Sequence, residues 1–396
     1  MTMTSKKRLL FVIDSLGVGG AEKSLVTLLG VLDYSRFEVD LQQFATGGAF
    51  SSFVPPQVNV LPAPEITAVL SQPLWRTILK PRLFFARLAY SLEIRLRGLS
   101  VAGRASLYWK RFGRRFGRTS GRYDVAIAYA QGMPTFYVAD CVNAGRRLAW
   151  VNVDYRIDGR IRDFQRGYYS RMDTIVPVSE SVLEVFGTEV YPEFRHKMRV
   201  VRDMIDGRVV ERMSLLPPDK PIDRTLPVIM TAGRLNKPQK GYDLALAAAK
   251  IMREHGTAFR WYAVGEGPYR GEMERYIADN GLQEHFVLLG ATPNPYSYMR
   301  QCDIYVQTSR HEGFGLTIAE ARILNRPVVC TDFDGCRMQI ADGRNGLITP
   351  LEPEAVAAAV ERLLCDRELR NGIVEYLRRE PKGNTGEIEK FYTLLE

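Results

Sequence analysis

The chain has 396 residues, 46% of them hydrophobic and 25% charged, with a formal net charge of +9 at neutral pH. These are the proportions of a globular protein long enough for two domains, each with its own core. Its five cysteines, Cys141, Cys302, Cys330, Cys336 and Cys365, form no C-x-x-C pair, which argues against a disulfide framework or a zinc site and for a reducing cytosol.

The amino terminus opens on Lys6, Lys7 and Arg8 and an apolar run that Asp14 cuts short. That run is below the length of a signal-peptide core and far below a membrane span. KRLLFVIDS reads as a strand, and GVGGAEKSLVTLLGVL as a glycine turn entering a helix with Leu25, Leu28, Leu29 and Leu32 on one face. A dinucleotide fingerprint needs G-x-G-x-x-G, but after Gly17 and Gly19 the third glycine position holds Glu22. An NAD-dependent oxidoreductase is therefore a weak alternative, and Gly17 also fits a plain strand-to-helix turn.

From Trp75 to Arg122 there are thirteen bases and a single acid, Glu93, a local charge of +12. Leu83, Phe84, Phe85, Leu88 and Leu92 recur at helical spacing between the bases. The pattern predicts a basic amphipathic helical insertion, 75–122, suited to an anionic bilayer surface, with a solvated helical face as the alternative. No nucleic-acid-binding motif accompanies it.

Beyond the insertion, YDVAIAYA, RRLAWVNVDY and TIVPVSE read as strands, and MPTFYVADCV and IRDFQRGYYSRM as helices. The strand runs are short and nearly all apolar, as for parallel strands buried on both faces. Two strand ends carry Gln131-Gly132 and Asn152-Val153-Asp154. Asp154 is the ionisable candidate for an acceptor site, and equally a residue that caps the next turn. The proline- and charge-rich stretch 206–226 reads as a linker between an amino-terminal domain, 1–205, and a carboxyl-terminal domain, 227–375.

In the second half PVIMTAG is a strand, and GRLNKPQKG a basic loop feeding the helix YDLALAAAKIMREH. Arg234 offers a planar fork for phosphate oxygens and Lys240 a compact point charge. FRWYAVGEG ends a strand on Gly265, Glu266 and Gly267, where the backbone can approach a nucleotide closely. HFVLLG, RPVVCTDF and GLITP are further strands; YRGEMERYIADNG, NPYSYMRQC and EAVAAAVERLLCDRELRNG are helices, and 376–396 ends on the helical pattern TGEIEKFYTLLE. His196, His255, His285 and His311 stand singly, so no metal is expected.

The chain is organised around SRHEGFGLTIAEA, Ser309 to Ala321. DIYVQTS before it has the alternation of a strand, and TIAEARIL after it has helical spacing. Gly313, Phe314 and Gly315 therefore turn at the carboxyl end of a strand, where open α/β sheets bind ligands. The first helix amides, near Gly315, Leu316 and Thr317, suit a phosphate. Glu312 in the loop and Glu320 in the helix, eight residues apart, can turn both carboxylates towards one cleft and its hydroxyl groups.

This Glu-x7-Glu spacing resembles the signature of glycosyltransferase family 4, and GRLNKPQKG, VGEGP and EGFGLTIAE occur in that family's order. The resemblance implies an α/β chain of GT-B fold, two Rossmann-like domains with parallel sheets facing across a cleft, the final helix returning to the first. It implies a retaining enzyme, without cofactor, that moves a hexosyl or N-acetylhexosaminyl group from a nucleoside-diphosphate sugar, UDP favoured, to a polysaccharide or lipid-linked glycan. By this resemblance Glu312 contacts the donor sugar, Glu320 the ribose, and Arg234 and Lys240 the diphosphate. Gly19 and Gly20 match a family loop where the backbone nears the donor phosphates or the acceptor. WVNVDY resembles a Trp-hydrophobic-His-x-Asp-Tyr stretch of polysaccharide-building members, with Asn152 in the histidine's place. That departure leaves a non-catalytic, membrane-associated protein with a retained nucleotide-sugar fold as an alternative. The expected location is cytoplasmic, peripheral on the inner face of the plasma membrane.

Overall fold

Two parallel sheets of six strands each organise the computed structural model, which describes residues 6–17, 19–73, 80–152, 157–333 and 335–396. The chain divides into unit 1, Met1–Asp203 with Gly386–Glu396, and unit 2, Met204–Thr385.

Unit 1 holds β1 (Lys7–Ile13), β2 (Phe37–Gln43), β3 (Val58–Leu61), β4 (Arg122–Ala128), β5 (Asn143–Val151) and β6 (Thr174–Pro177), in the order β3-β2-β1-β4-β5-β6. Every neighbouring pair is parallel. Leu9, Leu10, Phe11 and Val12 of β1 are all buried, as a central strand covered on both faces requires. β2 and β3 have no counterpart among the elements expected from sequence. The alternation of Phe37, Val39 and Leu41 with Glu38 and Asp40 carries the strand signal there.

The helix Ile388–Leu395 belongs to unit 1. Its Phe391 packs on Phe11 and Trp150, with ring centroids 6.0 Å apart in both pairs. The Lys7 ammonium donates to the Leu395 carbonyl at 2.9 Å. The basic segment forms two helices, Pro81–Arg97 and Val101–Phe112, separated at Gly98, whose φ of 54° is left-handed. Its residues 75–79 lie outside those described.

Unit 2 repeats the design with β7 (Val228–Ala232), β8 (Arg260–Val264), β9 (Phe286–Gly290), β10 (Ile304–Gln307), β11 (Val328–Thr331) and β12 (Gly346–Thr349), in the order β12-β11-β10-β7-β8-β9. Taken in sequence order within each unit, the two arrangements are the same. In both, the order reverses beside the first strand, between β1 and β4 and between β7 and β10. One continuous apolar cluster runs from Ile229 through Trp261 and Phe286 to Val356 and Leu377.

Two further elements differ from the sequence expectation. The stretch 206–226 includes a helix, Gly207–Ser214, capped by the Asp206 carboxylate and anchored by buried Val210 and Met213. EAVAAAVERLLCDRELRNG is two helices, Pro353–Cys365 and Arg367–Arg379, because the Asp366 carboxylate accepts from Leu369 N at 2.9 Å and starts the second.

Candidate functional site

β7 and β10 are adjacent in the sheet, so the loops leaving their carboxyl ends start side by side at the point where the strand order reverses. That is where open α/β sheets form a ligand crevice. The first loop runs through Gly233 and Arg234 to Lys240; the second runs from Thr308 to Gly315. Arg310 clamps them together. Its guanidinium donates to both Asp243 carboxylate oxygens, at 2.9 and 2.7 Å, and its backbone N–H to the Gln239 carbonyl at 2.7 Å. The Thr308 hydroxyl donates to the Lys240 carbonyl at 3.2 Å.

The clamp brings Lys240 Nζ to 2.5 Å from Glu312 Oε1, with side chains only 16% and 8% exposed. The same oxygen accepts from Ser309 Oγ at 2.6 Å and from Gln307 Nε2 at 2.9 Å. The carboxamide of Gln307 has its orientation set from the other side. Its Oε1 accepts from the Tyr305 hydroxyl at 2.7 Å and the Thr317 hydroxyl at 3.0 Å, which leaves Nε2 to face the carboxylate. From β11 the Thr331 hydroxyl holds the Ser309 carbonyl at 2.6 Å. Three converging donors, one of them charged, offset the cost of burying the Glu312 carboxylate. Burial and the nearby Glu312 push the Tyr242 phenol above its ordinary range; its hydroxyl donates to the Gly233 carbonyl at 3.0 Å.

Gly315, with φ of 79°, turns the chain into the helix Leu316–Ile323. Only glycine adopts that left-handed conformation without strain. The Gln339 carboxamide donates to the Phe314 carbonyl and, at 3.3 Å, to that of Gly315, fixing the turn. Gly313 is buried there, whereas Phe314, Leu316 and Thr317 are half-buried. Glu320 is 1% exposed, and its Oε1 accepts from the Tyr296 hydroxyl at 2.9 Å. The two glutamates thus have different partners, Lys240 for Glu312 and Tyr296 for Glu320.

Arg234 is exposed just past the end of β7. Glu266 pairs with Arg270 at 2.6 Å on the surface. A Cβ on Gly265 would lie 1.8 Å from the Gly233 carbonyl oxygen, and one on Gly267 would lie 2.3 Å from that of Leu235. The neighbouring loop thus presses close on both positions and requires glycine there.

In unit 1, Gly20 opens the helix Gly20–Val31 and Gly19 precedes it in extended backbone. Asn152 follows β5; its Nδ2 donates to the Tyr129 carbonyl at 2.8 Å, while its Oδ1 is buried with no hydrogen-bond partner among the described residues. The Tyr129 ring stacks on Trp150, centroids 5.0 Å apart, and its hydroxyl lies 2.9 Å from Ser24 Oγ. The buried Asp203 also bonds Ser24, and burial pushes its carboxyl up to about 7. Asp154 lies outside the described residues. Gln307, Ser309, Arg310, Asp243 and Tyr296 were not among the expected site residues. Gln307 is the one with a signal in the sequence, a long amide in the otherwise apolar strand IYVQ.

Residues 214–380 match the family model of glycosyl transferases group 1. The alpha-D-kanosaminyltransferase of Streptomyces kanamyceticus is 31% identical over 152 residues, 38% of this chain and 39% of that protein. The N-acetylgalactosamine-N,N'-diacetylbacillosaminyl-diphospho-undecaprenol 4-alpha-N-acetylgalactosaminyltransferase of Campylobacter jejuni is 29% identical over 206 residues, 51% of this chain and 53% of that protein. The chain thus spans about half, or less, of the length of these relatives. The crystal structure of Anabaena Alr3699/HepE in complex with UDP aligns over 98% of both chains with a TM-score of 0.63 and 17% identity. The fold is therefore GT-B.

Proposed function

We propose, from the match of residues 214–380 in unit 2 to the model of glycosyl transferases group 1, that the protein transfers a sugar from a nucleoside diphosphate to a glycan or lipid-linked glycan. The observation that carries this reading is the buried Lys240–Glu312 pair at the reversal of the strand order, with exposed Arg234 at the end of the adjoining strand. One N–H of the Lys240 ammonium serves Glu312, and two remain for diphosphate oxygens. Glu312 therefore both orients the sugar hydroxyls and holds the cation in place. The Arg234 fork and the amides of Leu316 and Thr317 complete the cradle, and Glu320 serves the ribose.

In the step itself, the bond from the anomeric carbon to the diphosphate oxygen breaks and its electron pair leaves with the nucleoside diphosphate. The acceptor hydroxyl bonds to the same face of that carbon, and its proton passes to the departing phosphate, so configuration is retained. The charge that develops on the phosphate meets Lys240 and Arg234, fixed before the reaction starts, which is the kind of stabilisation that often dominates such barriers.

UDP is the favoured nucleotide, since the similar Anabaena structure is a complex with UDP. A lipid-linked acceptor at an anionic membrane surface fits the basic segment of unit 1, and the name of the Campylobacter jejuni relative includes diphospho-undecaprenol. Asn152 and Asp154 are the acceptor-side candidates, beside Gly19 and Gly20. The five free cysteines fit a cytoplasmic location.

Calorimetry with UDP and with NAD, followed by transfer assays on membrane extracts with a panel of labelled nucleotide sugars, tests the reading. The expected result is UDP binding and a product of retained anomeric configuration by NMR. Binding of NAD without UDP, an inverted product, or UDP binding without turnover of any donor would overturn it.

A further inference from the structure

The helix Pro81–Arg97 has two apolar faces. Its inner face packs on Val101–Phe112. The Tyr90 ring lies 5.7 Å from that of Tyr108 and 5.8 Å from that of Phe112, and Glu93 pairs with Arg111 at 2.5 Å. Leu83 is buried on the same side. The second helix is anchored in unit 1 in turn: the Trp109 indole N–H donates to Asp140 at 2.7 Å, and Gln165 donates to Ser106 at 3.2 Å in the interior.

The outer face has no such cover. Phe85, Leu88, Leu92 and Leu96 are 65%, 45%, 56% and 75% exposed, and their spacing of three, four and four residues aligns them in one stripe along the helix. Val101, at the start of the next helix, is 82% exposed. Among the described residues, five of the eleven large apolar side chains left exposed fall in this short segment. The expected single amphipathic face is thereby divided: Leu83 turns inward, while Phe85, Leu88 and Leu92 turn out.

Charge on the same surface selects the occupant. By helical geometry Arg82 and Arg95, both exposed, lie on opposite shoulders of the stripe. Exposed Lys80, Arg97 and Arg104 surround it. Glu93, the single acid between residues 80 and 122, is turned onto Arg111 and Arg97. An apolar ridge flanked by cations matches the boundary of an anionic bilayer, where acyl chains take the ridge and headgroup phosphates the guanidinium groups.

We propose that the outer face of Pro81–Arg97 is a membrane-insertion surface: Phe85, Leu88, Leu92 and Leu96 enter the acyl boundary of an anionic bilayer while Arg82 and Arg95 hold the headgroups. The proposal builds on the membrane-held acceptor suggested above and adds that binding is partly apolar, so salt alone does not abolish it.

The test uses the full chain and vesicles of phosphatidylcholine with or without phosphatidylglycerol, with no sugar donor present. Binding to the anionic vesicles should survive in part at about 0.5 M salt, where the screening length falls below ~5 Å. A triple variant, Phe85→Ser, Leu92→Ser and Leu96→Ser, should lose that salt-resistant fraction and bind about tenfold more weakly at low salt. Leu92→Trp should add an indole whose fluorescence shifts to the blue on anionic vesicles and is quenched by lipids brominated in the acyl chain. Serine variants that bind as tightly as the parent, an added indole untouched by brominated lipid, or a parent dimer that becomes monomeric in the serine variant by sedimentation would each overturn the proposal. The last outcome would assign the face to a second copy of the chain. Vesicle binding without transfer would count against the proposed reaction alone, and transfer to a soluble acceptor without vesicle binding against this surface alone.

Discussion

In unit 2, the strand ends where the order reverses carry an ammonium, a carboxylate, a hydroxyl and a carboxamide, linked between 2.5 and 2.9 Å. In unit 1, the corresponding strands β1 and β4 lead to Ser24 and Tyr129, with Asn152 after β5, linked at 2.8 and 2.9 Å. The two sheets share one strand order. What differs is which side chains the loops bring to the strand ends: a buried ammonium–carboxylate pair in unit 2, and in unit 1 hydroxyls and an amide beside the Asp203 carboxyl, which burial pushes up to about 7. A shared topology supplies the place, and the loops supply the chemistry.

Lys240→Ala gives the largest expected effect, because it removes a cation from the charged spot and leaves Glu312 buried with two neutral donors. Transfer should fall about 10²- to 10³-fold. UDP affinity by calorimetry should drop about tenfold, and the melting temperature should fall as for any broken buried pair. Unchanged UDP affinity would mean that the lysine serves only Glu312.

Gln307→Leu comes next. Gln307 touches no expected ligand and acts through Glu312, so kcat should fall about tenfold with KM little changed, matching the loss of one hydrogen bond to a charged group. A change in KM alone would show instead that the loop had moved. Arg310→Lys replaces the fork on Asp243 with a point charge and should cost about 1 kcal/mol of stability, with only a few-fold loss of transfer. Chemical denaturation of the two proteins measures it.

Asp203→Asn should affect transfer least and separates the units most cleanly. The Asp203 carboxyl is pushed from 3.8 up to about 7 by burial. Between those values the unfolded chain has lost this proton while the folded chain keeps it, so stability falls as pH rises through that window and levels off above about 7. In the asparagine variant this part of the pH dependence should vanish, as read from denaturation curves across the window. An unchanged slope would mean that Asp203 is already ionised in the folded protein.

Much of this molecule is legible along the chain. The runs LLFVI, VAIA, VIMTA and VVCT specify buried parallel strands, since a central strand of such a sheet is apolar on both faces. Lys240 and Glu312 stand out because short motifs place them in loops after strands, and Glu320 because it follows Glu312 by eight residues in the next helix. β2 carries a signal too, a period of two, although it is not among the elements expected from sequence. Other features depended on pieces far apart in sequence. Lys240 and Glu312 meet across 72 positions, and only the adjacency of β7 and β10 brings their loops together. Gly265 and Gly267 read in the sequence as places of close approach, but that the Gly233 and Leu235 carbonyls press against them shows only in the fold. Helical spacing announced an amphipathic segment at 81–97, but not that Leu83 faces the protein and Phe85, Leu88, Leu92 and Leu96 face outward, because that depends on where the next helix packs. Period and turn chemistry act within a few residues of one another. Pairing, burial and facing are set by the crossovers between strands, which carry distant residues to one place.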